Sequence, residues 1–308
     1  MDVHMIRQIQ YLRALAAMMV VWHHAQNQVV DTQKFILPTS FGAYGVDLFF
    51  MISGFIMLVT TWDKPIGPVD FMKHRIRRVV PLYWAATLLV VVMAIAWPGM
   101  HKTLKFDTVS FFKSLFFIPY ESLIFPGMLR PLLAQGWTLN YEMFFYALFA
   151  VALLVVKGWR VPVMVGVLSL LVACGFIFHP TSAALQVYTD YRLLEFGVGM
   201  ILGRLWVMKT RAASVGGNTL LSALGDASYS IYLTHTFTLV VLRSVWIRLV
   251  PNASMASSVS LMAVSLTVCA FAGWLCYLFV EKPLINWLGH RHQTVKSSIG
   301  TMASKGAK

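Results

Sequence analysis

Charge is scarce in this sequence. Only 12% of its 308 residues are charged and just twelve are acidic, while 58% are apolar. A soluble domain usually has about a quarter of its residues charged. That shortage excludes a water-soluble globular protein, and with it the nucleic-acid binder that a net charge of +13 could otherwise suggest. Cysteine is also scarce: Cys174, Cys269 and Cys276 all fall in apolar runs, with no disulfide or zinc spacing. Strand-like alternation and internal repeats are missing too. An amino-terminal secretory leader is not expected. Arg13 borders the apolar run Ala14–Trp22, and His23-His24 stand where small residues would precede a cleavage site.

What is present is a series of long apolar runs. A membrane-crossing helix needs about 20 mostly apolar residues. Eight stretches qualify, near 12–28, 43–62, 79–97, 138–156, 161–178, 192–208, 229–248 and 259–280. Shorter apolar pieces near 109–126 and 182–189 are re-entrant, interfacial or extra short spans. Backbone within a bilayer must satisfy its own hydrogen bonds, so helices are expected. The expected fold class is an all-α polytopic membrane protein, a bundle of about 8–10 transmembrane helices. Residues 1–287 form the membrane domain and 288–308 a basic, disordered cytosolic tail.

Lysine and arginine placement orients the bundle. With the amino terminus inside, fifteen basic residues fall in inside segments and five in outside loops. This places both termini in the cytosol and makes most of the +13 a topology signal.

Charges buried in a bilayer are costly, and each is a functional candidate. Arg13 and His24 are eleven residues apart on the first span, on one helix face and about 16 Å apart along the axis. Asp47 on the second span and Glu142 on the fourth are expected at the same outer level as His24. An imidazole held by a carboxylate makes a general base; interfacial residues solvated by headgroups are the plainer alternative. Arg75 and Arg78, three apart, suit phosphate binding on the cytosolic side; a positive-inside anchor explains them equally well. His235 reads as a satisfied buried histidine, Arg192 and Glu195 as a local i, i+3 pair, and Pro283 after Glu281-Lys282 as a helix stop. Ser53-Gly54 reads as helix packing.

Taken in order, these residues resemble the blocks of the membrane-bound acyltransferase type 3 family. Leu12-Arg13-Ala14 through His24 resembles its opening, an Arg, ten residues, then a His. Gly45-Val46-Asp47 through Gly54-Phe55, Arg75-x-x-Arg78 before Pro81-Leu82-Tyr83-Trp84, and Trp137-Thr138-Leu139-Asn140-Tyr141-Glu142 resemble later blocks. Leu224-Gly225 to His235 and Glu281-Lys282-Pro283 match the last ones. The Trp137–Glu142 form is most similar to the exopolysaccharide acetyltransferase branch. The resemblance implies an integral membrane enzyme of the bacterial inner membrane. It would O-acylate a cell-surface or exopolysaccharide carbohydrate, with acetyl-CoA as donor substrate and no resident cofactor or metal. It further implies His24 as the catalytic histidine, Arg13 as its partner position, Arg75 and Arg78 as the acyl-CoA-handling pair, and Asp47 and Glu142 as motif acids. His24 would act as a base or as a transient acyl carrier. The bilayer, a lipid-linked or polymeric carbohydrate and polysaccharide biosynthesis machinery are the implied partners. A proton-coupled transporter or flippase for a polysaccharide precursor would use the same buried charges.

Overall fold

In the computed structural model, the described residues are 3–28, 41–64, 66–96, 107–122, 126–209, 219–250 and 254–288. The tail expected at 288–308 lies outside them beyond its first residue. Among the described residues the regular structure is entirely helical. The elements are α1 (Val3–Gln26), α2 (Tyr44–Trp62), α3 (Pro68–Ala96), α4 (Thr108–Leu115), α5 (Trp137–Ala152) and α6 (Arg160–Phe178). They continue with α7 (Ala183–Tyr188), α8 (Leu193–Lys209), α9 (Thr219–Asp226), α10 (Ser228–Leu249) and α11 (Met255–Cys276). Each of the eight long apolar runs is a helix, and the two shorter pieces contain α4 and α7.

Among the described residues, five helices are long and apolar enough to cross a membrane by length and composition: Phe41–Trp62, Pro68–Ala96, Arg160–Phe178, Ser228–Leu249 and Met255–Leu288. The eight-span expectation exceeds that number for physical reasons. α5 and α8 have 16 and 17 residues, about 24–26 Å against a hydrocarbon core of about 30 Å. α1 is long enough but interrupted by Gln8, Gln10, Arg13, His23 and His24.

Burial follows helix faces. On α6, Val161, Met164 and Leu168 are buried at i, i+3, i+7, whereas Leu170 and Phe176 are 65% and 80% exposed. A stripe facing the bundle with apolar residues all around it is the pattern of a helix against lipid. The core between α2, α5 and α8 is an aromatic stack. Phe196 lies 4.7 Å from Phe50 and 4.3 Å from Phe145, both nearly parallel. α2 and α8 cross in close contact because of two glycines. A Cβ at Gly54 would strike the Phe196 backbone, and one at Gly199 the Met51 carbonyl. Lipid supplies no hydrophobic drive between helices, so such close backbone packing is a main source of association. The packing expected at Ser53-Gly54 is realised here.

The carboxyl-terminal helix does not stop at Pro283. A π-turn at Tyr277–Glu281 follows α11, Lys282 N–H bonds back to the Tyr277 carbonyl, and helix continues to residue 288. Proline removes one donor; the wider turn redistributes the bonds just ahead of it. The turn also points Glu281 inward. Its side chain is 2% exposed and accepts a hydrogen bond from Ser230 Oγ at 2.5 Å.

Candidate active site: two chambers that share Val46 and Tyr232 in their walls

α1 is unbroken from Arg13 to His24, so the eleven intervening residues set them about 16 Å apart on one face. Each lines a different chamber. Arg13, Arg75, Arg78, Glu142, Ser53 and Tyr146 line a cavity of about 100 Å³, the arginine chamber. His24, Asp47, Arg130, Trp137, Tyr191 and Arg192 line one of about 340 Å³, the histidine chamber. Val46 and Tyr232 belong to both walls. Tyr232 is fixed there: its hydroxyl donates to the Gln135 carbonyl at 2.9 Å and meets Thr138 Oγ1 at 2.8 Å.

In the arginine chamber the charges are held by local contacts. Arg13 is 8% exposed. Its Nη1 donates to Gln10 Oε1 at 3.1 Å, and Gln10 donates in turn to Asp226 Oδ1 at 2.5 Å. Gly225 permits this link, because a Cβ there would strike the Gln10 backbone. Arg75 lies over two rings, 5.5 Å from the Phe71 centroid and 6.0 Å from Tyr146. Its Nε is buried without a hydrogen-bond partner. Glu142 Oε1 accepts from Tyr146 Oη and, at 3.4 Å, from Ser53 Oγ. Tyr229 on α10 donates to the Val79 carbonyl at 2.7 Å, tying α10 to the stretch of α3 that follows the arginines. The arrangement offers guanidinium donors to an anion and a carboxylate to balance them.

In the histidine chamber the neighbours differ from those expected by depth along the helices. The rings beside His24 are His23, at 5.2 Å, and His235, at 5.0 Å. Asp47 shares the chamber wall, but its carboxyl meets that of Glu195 and faces Arg192. Glu142 lies in the other chamber. Arg192 pairs with Asp190 at 3.2 Å instead of with Glu195 as expected. It also lies 5.5 Å and 4.8 Å over the rings of Trp137 and Tyr191. The turn between α7 and α8 brings Asp190 closer than one helical step does, which explains the exchange of partner.

The structure thus gathers Arg13, Arg75, Arg78 and Glu142 in one place and His24 with Asp47 in another. Sequence reasoning gave Tyr146 no part in the site and paired Glu195 with Arg192 instead of Asp47. Tyr146 stands at i+4 from Glu142, a readable signal; the Asp47–Glu195 meeting joins helices far apart in sequence and has none. Among the described residues no group of three or more His, Cys, Asp or Glu is placed to hold a metal ion.

Comparison with known proteins places the chain in a family. The acyltransferase domain of the type 3 family matches residues 6–216. The chain is 34% identical over 294 residues to the exopolysaccharide production protein ExoZ of Rhizobium meliloti, covering 80% of this chain and 90% of that one. It is 28% identical over 219 residues to the peptidoglycan O-acetyltransferase OatA of Listeria monocytogenes, covering 64% of this chain and 33% of the relative. The chain therefore spans about a third of OatA. No solved structure matches. With the family matched over residues 6–216, more than half of the chain, the chain belongs to the acyltransferase type 3 family and is a multi-pass membrane O-acyltransferase.

Proposed function

We propose that the protein transfers an acetyl group from acetyl-CoA to a hydroxyl of a cell-surface or exopolysaccharide carbohydrate, across the bacterial inner membrane. The observation that carries this reading is the pair of chambers meeting at Val46 and Tyr232, one lined by arginines and one by the conspicuous histidine. The lysine and arginine distribution supports an arginine chamber on the cytosolic side, with both termini inside. Coenzyme A is a cytosolic, phosphate-bearing thiol. Arg75 and Arg78 hold its phosphates, and Arg13 stabilises negative charge further in. The thioester end of the donor passes Val46 and Tyr232 to reach His24.

At His24 the acceptor oxygen attacks the thioester carbonyl while the imidazole takes the hydroxyl proton. The C–O bond forms, the C–S bond breaks, and the thiolate leaves and recovers the proton as coenzyme A. Transient carriage of the acetyl group by the same histidine exchanges the same atoms in two steps. The acceptor lies in the histidine chamber, whose Trp137, Tyr191 and Asp47 offer the ring faces and acceptors that pyranose sugars bind. Relatives named for exopolysaccharide production and peptidoglycan O-acetylation support a polysaccharide acceptor.

The test is a purified protein with labelled acetyl-CoA and a lipid-linked oligosaccharide. Label in the oligosaccharide supports the transferase. Movement of the oligosaccharide across vesicles without labelling would establish the proton-coupled transporter instead.

A further inference from the structure

The chemistry assigned to His24 needs one particular tautomer: the nitrogen facing the acceptor must be bare, so the other must carry the proton. Expectation from the sequence gave the task of holding that proton to Asp47 or Glu142. Glu142 is in the other chamber, and Asp47 is engaged with Glu195. The ring that approaches His24 from another helix is His235 on α10, with centroids 5.0 Å apart and planes tilted by 40°.

His235 is fully buried. Its Nδ1 lies 2.6 Å from the carbonyl oxygen of Tyr232. A carbonyl only accepts, so Nδ1 carries the hydrogen and Nε2 of the neutral ring carries a bare lone pair. That Nε2 is buried and has no hydrogen-bond partner. A buried polar atom without a partner calls for an explanation. No hydrogen bond joins the two rings as they stand, so the bond to that lone pair forms when the His24 ring turns toward it, as catalytic hydrogen bonds often tighten only in the working complex. His235 stands outside the chamber wall, although its neighbours Tyr232 and Thr236 are part of it. Its backbone is held as well, since its carbonyl accepts from Cys269 Sγ at 3.8 Å.

We propose that His235 is the positioning residue for His24. Its Nε2 accepts the N–H of His24, fixing the tautomer that presents a lone pair to the acceptor and stabilising the imidazolium formed when His24 takes the hydroxyl proton. Tyr232 has two tasks in this arrangement: its side chain forms the wall between the chambers, and its carbonyl sets the tautomer of His235. A neutral histidine suits this depth, because it supplies an acceptor without a second buried charge.

The role rests on the acyl-transfer reading, and the experiment separates the two. In 15N-histidine-labelled protein in micelles, His24 is assigned by its loss in His24→Ala. The expected result is one neutral tautomer for His24 in the native protein and a mixture in His235→Phe, which keeps the ring's bulk but has no acceptor. Acetyl transfer by His235→Phe should fall about 100-fold in kcat, with KM for acetyl-CoA unchanged. His235→Gln, whose carbonyl oxygen can stand near the Nε2 position, should recover at least tenfold of that loss. Two tautomers for His24 in the native protein, or one unchanged tautomer in His235→Phe, overturns the proposal. So does equal loss in the Phe and Gln variants, which marks a packing role. Absence of acetyl transfer in the native protein with the tautomers as expected would refute the transferase reading and leave the histidine pair standing.

Discussion

Arg75 gives the sharpest quantitative test of donor binding. It is held by the rings of Phe71 and Tyr146 and has a buried Nε with no hydrogen-bond partner. It is therefore positioned before any anion arrives, and little further ordering opposes its use. A hydrogen bond from a charged group contributes about 1.5–3 kcal/mol. Each 1.4 kcal/mol is a factor of ten, so Arg75→Ala should weaken acetyl-CoA binding about 10- to 150-fold. Arg75→Lys keeps the charge but loses the planar fork and ring contact, and should fall between the two. Calorimetric titration of micellar protein with acetyl-CoA measures both, and binding to the native protein should weaken as salt is raised. Unchanged affinity in Arg75→Ala, in a protein with native thermal stability, would refute the assignment of this chamber to the donor.

Three further outcomes follow from the geometry. Val46→Trp fills the place where the two chambers adjoin and should abolish acetyl transfer while weakening acetyl-CoA binding far less, since the phosphates at Arg75 and Arg78 remain held, as read by activity and titration side by side. Gly199→Leu drives a side chain into the Met51 carbonyl and should destabilise the α2–α8 pair by at least about 1–3 kcal/mol, visible as a lowered thermal midpoint in micelles. Asp107 caps α4: the Ser110 side chain beside it and the Ser110 N–H, which donates to it at 2.9 Å, hold its carboxyl below the usual range. A depressed carboxyl stabilises the folded form above its unfolded value and loses that contribution as pH falls through the folded one. Protection of the Ser110 amide from hydrogen exchange should therefore decline on acidification, and the decline should vanish in Asp107→Asn.

The helices themselves were readable because lipid selects for unbroken apolar runs, and α2, α3, α6, α10 and α11 stand where such runs lie. The face shared by Arg13 and His24 was readable too, since it depends only on the regular turn of one helix. Relations between helices were not. Depth along a span gives no rotation about its axis, so Glu142, expected beside His24, turns toward Tyr146 and Ser53 instead. The His24–His235 contact joins α1 to α10 across more than 200 residues, and no local pattern encodes it. The π-turn ahead of Pro283 is a local feature, yet proline usually signals a stop, and only the burial of Glu281 against Ser230 shows why the helix continues.

The central claim is that donor and acceptor enter from opposite sides and meet at His24. Vesicles with a single protein orientation test it directly. Labelled acetyl-CoA is supplied only on the side of the arginine chamber and oligosaccharide only on the side of the histidine chamber. The account predicts labelled oligosaccharide, lost in His24→Ala although acetyl-CoA still binds. Labelling that requires both substrates on one side, or that survives in His24→Ala, would contradict it.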